Sequence, residues 1–332
     1  MKQPLSRESR TIGALLGLHV GDSLGAGVEF EAHADIAAKH PGGPREITGG
    51  GVFNWPAGHA TDDTDMTRGV LLAYRTCKPG HDVVPWAGRY FLKWLFGDWP
   101  GRQRGSQPID IGNATRKGLL LFAKTGDPDK AGSGKGSAGN GSLMRCLPTG
   151  LFQPDAAKLI SESVRISAIT HDDPRCTISC AVYNWIVSHL LQGSSPREAV
   201  EAGEALAKKL EEENGKERPV FEAVQLGKVI NLQDIARCGP PKDTMKGGCS
   251  GYVLETLTLG VAAVLDDRSF EDVLVDVVRV GCDTDTNAAV AGGLLGARDG
   301  EDAIPSRWRK ELQFADEFRE AAVEMVRQNN KQ

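Results

Sequence analysis

Two short acidic segments carry most of the chemistry this sequence could perform. Thr61-Asp62-Asp63-Thr64-Asp65 precedes one apolar stretch with helical spacing, and Asp283-Thr284-Asp285-Thr286-Asn287 precedes another. Each is a sensible helix start, because Thr and Asp are favoured N-caps and first-turn carboxylates suit the helix dipole. A cap needs one such residue, however, and the first segment places three carboxylates within four positions. Carboxylates that close repel one another unless a cation neutralises them. In the second segment Asp283, Asp285 and Thr286 could point into one cavity, and such hard oxygen donors suit Mg²⁺, Mn²⁺ or Ca²⁺ rather than zinc. The glycine and terminal glutamate of an EF-hand loop are missing, which excludes that site. Two Asp-rich helix starts in one chain predict a shared two-metal site, with carboxylates holding the cations against the helix dipoles.

Smaller signals accompany these. In Gly21-Asp22-Ser23-Leu24-Gly25-Ala26-Gly27-Val28-Glu29-Phe30 the glycines permit close approach of a neighbour or a ligand. Glu29 stands among apolar residues, where an unpaired carboxylate is costly; it reads either as a partly exposed loop residue or as a base or metal ligand. Ser137-Ala138-Gly139-Asn140-Gly141-Ser142-Leu143-Met144-Arg145 is a small-residue loop whose backbone N–H groups could cradle a phosphate. The glycine-rich run just before it, residues 132–136, reads as flexible surface. It is not a P-loop, since positions 129 and 136 are Asp and Gly. Thr170-His171-Asp172-Asp173-Pro174 sets a histidine beside two aspartates at another helix start, where a structural role is the more common one. Asp110-Ile111-Gly112-Asn113 has no reading without context, and no Ser-His-Asp arrangement is visible.

The elements that must position these residues are helices. Ile12, Leu15, Leu16 and Val20 form one apolar stripe, Met66, Val70, Leu71 and Tyr74 another, and Trp86, Tyr90, Phe91, Trp94 and Leu95 a third. The 3.6-residue period recurs from Ile178 to His189 and in three stretches between Tyr252 and Leu295. Alternating strand patterns are scarce, so an all-α fold is expected. Gly-rich connections run over Pro41–Gly58, Gly97–Ile109, Gly126–Gly141 and Gly239–Gly251. Glu211–Pro219 reads as a solvated charged segment. Because the two acidic segments lie near opposite ends of the chain, one shared site requires a single domain over 1–332, with its core at about 10–300.

The formal net charge of −5 and the lack of a basic run argue against a nucleic-acid partner. The first ten residues have no apolar leader, and no stretch approaches the length of a membrane span, so a cytoplasmic protein with no membrane contact is expected. The seven cysteines form no C-x-x-C pair and read as buried reduced thiols.

Taken together, G-D-x-L-G-x-x-x-E-F, T-D-D-T-x-M, D-I-G-N, G-N-G-S-L-M-R, T-H-x-D, G-Y-V-x-x-T and G-x-D-T-D-T-N-A-A-x-x-G resemble, in this order, the ADP-ribosylglycohydrolase family. The likeness is closer to its dinitrogenase-reductase-activating branch. The resemblance implies an all-α fold with two Mg²⁺ or Mn²⁺ ions at the base of an ADP-ribose cleft. It implies Thr61, Asp62, Asp63, Asp283, Asp285 and Thr286 as metal ligands, with Glu29 and Asp110 in or beside the metal shell as candidates for the catalytic carboxylate. Gly139, Asn140, Gly141, Ser142 and Met144 would cradle the diphosphate and its ribose, and His171 and Tyr252 would line the pocket. The implied reaction hydrolyses the bond from ADP-ribose to a protein side chain, arginine first. The implied partners are an ADP-ribosylated protein, ADP-ribose itself, and the transferase or toxin that installs the modification. A non-catalytic protein that binds ADP-ribose or a toxin is the competing expectation.

Overall fold

The computed structural model describes residues 5–213, 215 and 217–329. Its elements are helical, and among the described residues strand-type pairing is confined to two isolated bridges, Gly50 with Trp55 and Gly139 with Tyr252. The first five helices are α1 (Arg7–Gly25), α2 (His33–Lys39), α3 (Asp62–Thr76), α4 (Val84–Leu95) and α5 (Asn113–Thr125). Next come α6 (Leu147–Phe152), α7 (Ala156–Ala168), α8 (Pro174–Leu191), α9 (Pro196–Glu212), α10 (Pro219–Val229) and α11 (Leu232–Cys238). The chain then forms α12 (Val253–Leu265), α13 (Phe270–Arg279), α14 (Thr284–Asp299), α15 (Ser306–Glu311) and α16 (Ala315–Asn329). The all-α expectation holds.

The centre is the antiparallel pair α1 and α14, both buried along nearly their whole length. Gly13, Gly17, Gly21 and Gly25 recur every four residues and so share one face of α1. A Cβ on Gly13 would sit 2.6 Å from the Gly296 carbonyl oxygen. One on Gly17 would overlap the Gly292 carbonyl, and one on Gly21 that of Ala288. At Gly25 it would meet the backbone of Thr284 and Asp285. The two backbones therefore touch, with no side chain between them. Each glycine inside a helix costs about 1 kcal/mol relative to alanine, a cost that the backbone-to-backbone packing offsets. Helices α8, α12 and α13 cover α14, and α16 covers α1.

This pairing brings the end of α1 to the start of α14. The Thr284 hydroxyl donates to the Gly25 carbonyl at 2.8 Å. Phe30 N–H donates to the Cys282 carbonyl at 2.7 Å, and Cys282 N–H returns the bond to Glu31 at 2.7 Å. Phe30 and Cys282 both have positive φ, 65° and 64°. Such left-handed non-glycine residues cost roughly 1–3 kcal/mol and persist where the surroundings over-determine them.

Two expectations change. The Glu211–Pro219 segment is not uniformly solvated: Glu211 is buried, and its carboxylate accepts from the N–H groups of Val220 and Phe221, capping α10. Asn214 and Lys216 of that segment lie outside the described residues. The thiols are all free, but only Cys146, Cys176, Cys180 and Cys249 are buried, while Cys238 is exposed. No described helix is long and apolar enough to cross a membrane.

Gly21→Ala should destabilise the protein by about 3 kcal/mol, the upper end for overpacking, because both clashing partners are backbone. Gly42→Ala, where nothing lies within 4 Å, is the control and should change stability by less than about 0.5 kcal/mol in urea unfolding. Equal effects at the two positions would refute the backbone contact.

Candidate functional site

The acidic helix starts converge where α1 meets α14. Carboxylate oxygens of Glu29, Asp283 and Asp285 lie within 4.8 Å of one another. Asp63 joins them from α3: the Thr286 hydroxyl donates to Asp63 Oδ2 at 3.2 Å, and the Thr61 hydroxyl donates to the same oxygen at 3.3 Å. Thr61 also caps α3 by accepting from Asp63 N–H at 3.3 Å. Capping and clustering therefore coexist. Asp283 stands at the N-cap of α14 but makes no cap bond. Its Oδ2 instead accepts from Asn140 Nδ2 at 2.7 Å, and Asn140 donates again to the Thr256 hydroxyl at 3.0 Å.

Asp22, which the sequence reading passed over, ties this cluster together. It is fully buried on α1, and its Oδ2 accepts from the backbone of Thr61 at 3.1 Å, the backbone of Thr64 at 3.2 Å and the Thr64 hydroxyl. One carboxylate thereby fastens the first turn of α3 to α1. The signal was present, since Asp22 sits in an otherwise apolar and small-residue segment. Asp65 has a different part. Its two oxygens accept from the indole N–H groups of Trp94 at 3.0 Å and Trp99 at 2.7 Å, so it faces α4 rather than the cluster.

Beside the cluster opens a cavity of about 480 Å³. Glu29, Asp62, Asp110, Asp283, Asp285 and Thr286 line its acidic end. Gly139, Asn140, Gly141, Met144 and His171 line its small-residue wall, which Asn140 joins to the acidic end through Asp283. The small-residue loop is held against that wall by Asn140 N–H donating to the Gly251 carbonyl and Val253 N–H donating to Ala138. Its glycine-rich approach is not free: Gly134 N–H donates to Asp172 and Gly136 N–H to Asp173, both at 2.7 Å. The T-H-D-D segment thus anchors the loop. Thr61 and Asp63 lie just beneath the acidic end, buried.

Two residues named from sequence lie elsewhere. Ser142 is buried, and its hydroxyl accepts from Ser167 at 2.8 Å. Tyr252 pairs with Gly139 through its backbone, while its ring faces a neighbouring cavity with Asp173 and Arg175. Serine and tyrosine carry no information about side-chain direction outside a regular helix or strand, so sequence could not separate them from their lining neighbours.

The electrostatics are those of a site short of positive charge. Burial and then the neighbouring Asp110 and Asp283 push the Glu29 carboxyl up to about 9. Burial raises Asp22 and Asp110 to about 6, with Asp283 adding to the shift at Asp110. Burial first, then adjacent carboxylates, holds Asp62, Asp63 and Asp285 well above the ordinary range. Buried oxygens of Glu29 (Oε2), Asp63 (Oδ1), Asp285 (Oδ1) and Asp22 (Oδ1) have no hydrogen-bond partner among the described residues. Unpaired buried carboxylate oxygens are expensive, and this all-oxygen set fits hard divalent cations.

The chain matches the family model described as ADP-ribosylglycohydrolase over residues 3–332. It is 31% identical over 308 residues to an ADP-ribosyl-[dinitrogen reductase] glycohydrolase of Rhodospirillum rubrum, covering 92% of this chain and 91% of that protein. An ADP-ribosylarginine hydrolase of Pseudomonas putida is 27% identical, with 95% and 77% coverage. A solved structure titled ADP-ribosylglycohydrolase-related protein complex superposes with a TM-score of 0.76 at 29% identity, covering 97% of this chain and 98% of that one.

These raised carboxyls set a sign for stability. A group with a raised folded pKa contributes stability fully present below its unfolded pKa and lost as pH rises through the folded value. Cation-free protein should therefore lose stability between the ordinary carboxylate range and about pH 9, with the Asp22 and Asp110 contributions gone above about 6. Mn²⁺ or Mg²⁺ should raise Tm by about 5 °C at a hundredfold excess over Kd, and by more at about pH 8 than at about pH 5. Scanning calorimetry of chelated and metal-supplemented protein checks this; no stabilisation at the higher pH would sink the cation reading.

Proposed function

The chain belongs to the ADP-ribosylglycohydrolase family, and on that premise we propose that it hydrolyses the bond between ADP-ribose and an arginine side chain of a modified protein. The observation that carries the reading is one juxtaposition. Glu29, Asp283 and Asp285, with unpaired buried oxygens on Glu29 and Asp285, line the same cavity as Gly139-Asn140-Gly141. Arginine as the acceptor is supported by the relative that is named an ADP-ribosylarginine hydrolase.

In this proposal Thr61, Asp62, Asp63, Asp283, Asp285 and Thr286 hold two Mg²⁺ or Mn²⁺ ions. When bound, such ions neutralise the cluster, orient sugar hydroxyls and acidify water. The small-residue wall lies close enough to the cavity for backbone groups to reach a diphosphate. The reaction cleaves the bond at C1″ of the ribose, water supplying a hydroxyl to the sugar and a proton to the departing guanidine.

Asp110 is our candidate for the proton-transferring carboxylate. It is half-buried, and its carboxyl is raised to about 6, near the pH at which a base works best. It also borders a second cavity of about 260 Å³, so it stands between two compartments, as a group serving both sugar and leaving side chain would. The place of Glu29 against Asp283 and Asp285 supports a share in holding cations rather than the base role. The matching partner activity is a transferase or toxin that installs ADP-ribose on arginine.

The test is release of ADP-ribose from proteins carrying it on arginine or on serine, with Mg²⁺ or Mn²⁺ present. Faster release from arginine is expected, and preference for serine would overturn the acceptor assignment. Asp110→Asn should lower turnover by about 10²–10⁴-fold, and Asp285→Asn should abolish it with the circular dichroism spectrum unchanged. Binding of ADP-ribose without release from either protein would make the chain a binder instead.

A further inference from the structure

Arg145 is fully buried and, among the described residues, has no carboxylate partner. Its guanidinium lies 4.5 Å from the Phe91 ring centroid and donates to the Gly141 carbonyl at 2.8 Å, the Ile166 carbonyl at 3.4 Å and the Thr170 hydroxyl at 2.7 Å. A buried charge spent on two carbonyls and a hydroxyl is expensive unless it organises something. Two of those acceptors adjoin the small-residue wall of the cavity. Gly141 is part of that wall, and Thr170 touches the ring of His171, which lines it.

The hydrogen bonds fix the imidazole by elimination. Arginine only donates, so Thr170 Oγ1 accepts from Arg145. The Thr170 hydroxyl is itself buried and owns one hydrogen, and its neighbour at 2.8 Å is His171 Nδ1. Among the described residues no other acceptor bonds this hydroxyl, so its hydrogen points at Nδ1, which then accepts. The ring proton is left on Nε2. Nε2 belongs to the ring edge that faces the small-residue loop: a Cβ on Gly141 would lie 3.3 Å from it and one on Gly139 3.5 Å.

We propose that Arg145 and Thr170 are positioning residues that lock His171 as a neutral Nε2–H hydrogen-bond donor to an acceptor oxygen of the ligand in the cleft. The proposal rests on the reading of that ligand as ADP-ribose, whose diphosphate offers such oxygens. Burial, and after it the Arg145 charge, hold the imidazole far below the ordinary histidine range, at about 3, in keeping with a donor that stays neutral. The same guanidinium draws the Gly141 carbonyl inward, so that this oxygen does not face an anionic ligand. A positive charge thereby shapes the wall without touching what binds there.

The experiment is long-range ¹H–¹⁵N correlation on protein with ¹⁵N-labelled histidine, the His171 signals being those missing from His171→Gln. At neutral pH the proton is expected on Nε2, and the Nε2 resonance should move when ADP-ribose is added. A proton on Nδ1, or an imidazolium, would overturn the proposal. Thr170→Val should lose the single tautomer and weaken ADP-ribose about tenfold, the effect of one hydrogen bond to a charged group, and Thr170→Ser should restore both. Should Thr170→Val not fold, the wild-type tautomer and the Thr170→Ser protein still decide. An Nε2 proton in a protein that fails to bind ADP-ribose would uphold the lock and refute the assigned ligand. ADP-ribose binding with the proton on Nδ1 would do the reverse.

Discussion

Everything at the acidic end of this protein depends on two helices touching without side chains between them. Because Gly13, Gly17, Gly21 and Gly25 face Gly296, Gly292, Ala288 and Thr284, α1 and α14 approach closer than any pair separated by Cβ atoms could. Closeness sets register as well as distance. Glu29 follows the end of α1 by four residues, and the backbone bonds that Phe30 and Glu31 make with Cys282 hold it beside Asp283 and Asp285. A wider spacing at that crossing would separate the carboxylates by the size of a side chain, and the cluster would no longer be one site.

The cluster is assembled at an electrostatic cost. Packing drives carboxylates together that would repel in water, and the fold responds with neutral donors rather than counter-ions. Asp22 receives three donors from α3, Asp283 receives Asn140, and Asp63 receives two threonine hydroxyls. These bonds orient each group but leave several oxygens unpaired. A rigid, under-neutralised set of oxygens is what a divalent cation requires, since the energy of holding the ligands together has been supplied in advance by core packing.

The small-residue wall follows another logic. There a single buried cation, Arg145, gathers carbonyl and hydroxyl oxygens, and Asp172 and Asp173 gather backbone N–H groups of the preceding loop. Side chains fold the loop inward so that backbone and glycine surface face the cavity. The loop, which reads as mobile from its composition, is in place because the T-H-D-D segment is bonded to it. The acidic side of the cavity is thus charged and only partly satisfied, and the small-residue side is held by hydrogen bonds.

The sequence alone determined the helical class, the two acidic helix starts and the oxygen character of the site, because those follow from local spacing and residue chemistry. It also contained the period-four glycines of α1, although only contact with α14 gives that period its meaning. Tertiary structure alone decided which carboxylates converge. Asp62, Asp63 and Asp65 are near neighbours in sequence, yet the turn of a helix at about 100° per residue aims Asp65 at Trp94 and Trp99 and leaves Asp63 with Thr286. It also decided that Asp22 fastens α3, that Ser142 faces the core and that the Tyr252 ring faces away. Each of those depends on what stands opposite across a long stretch of chain, and no local rule of spacing encodes that.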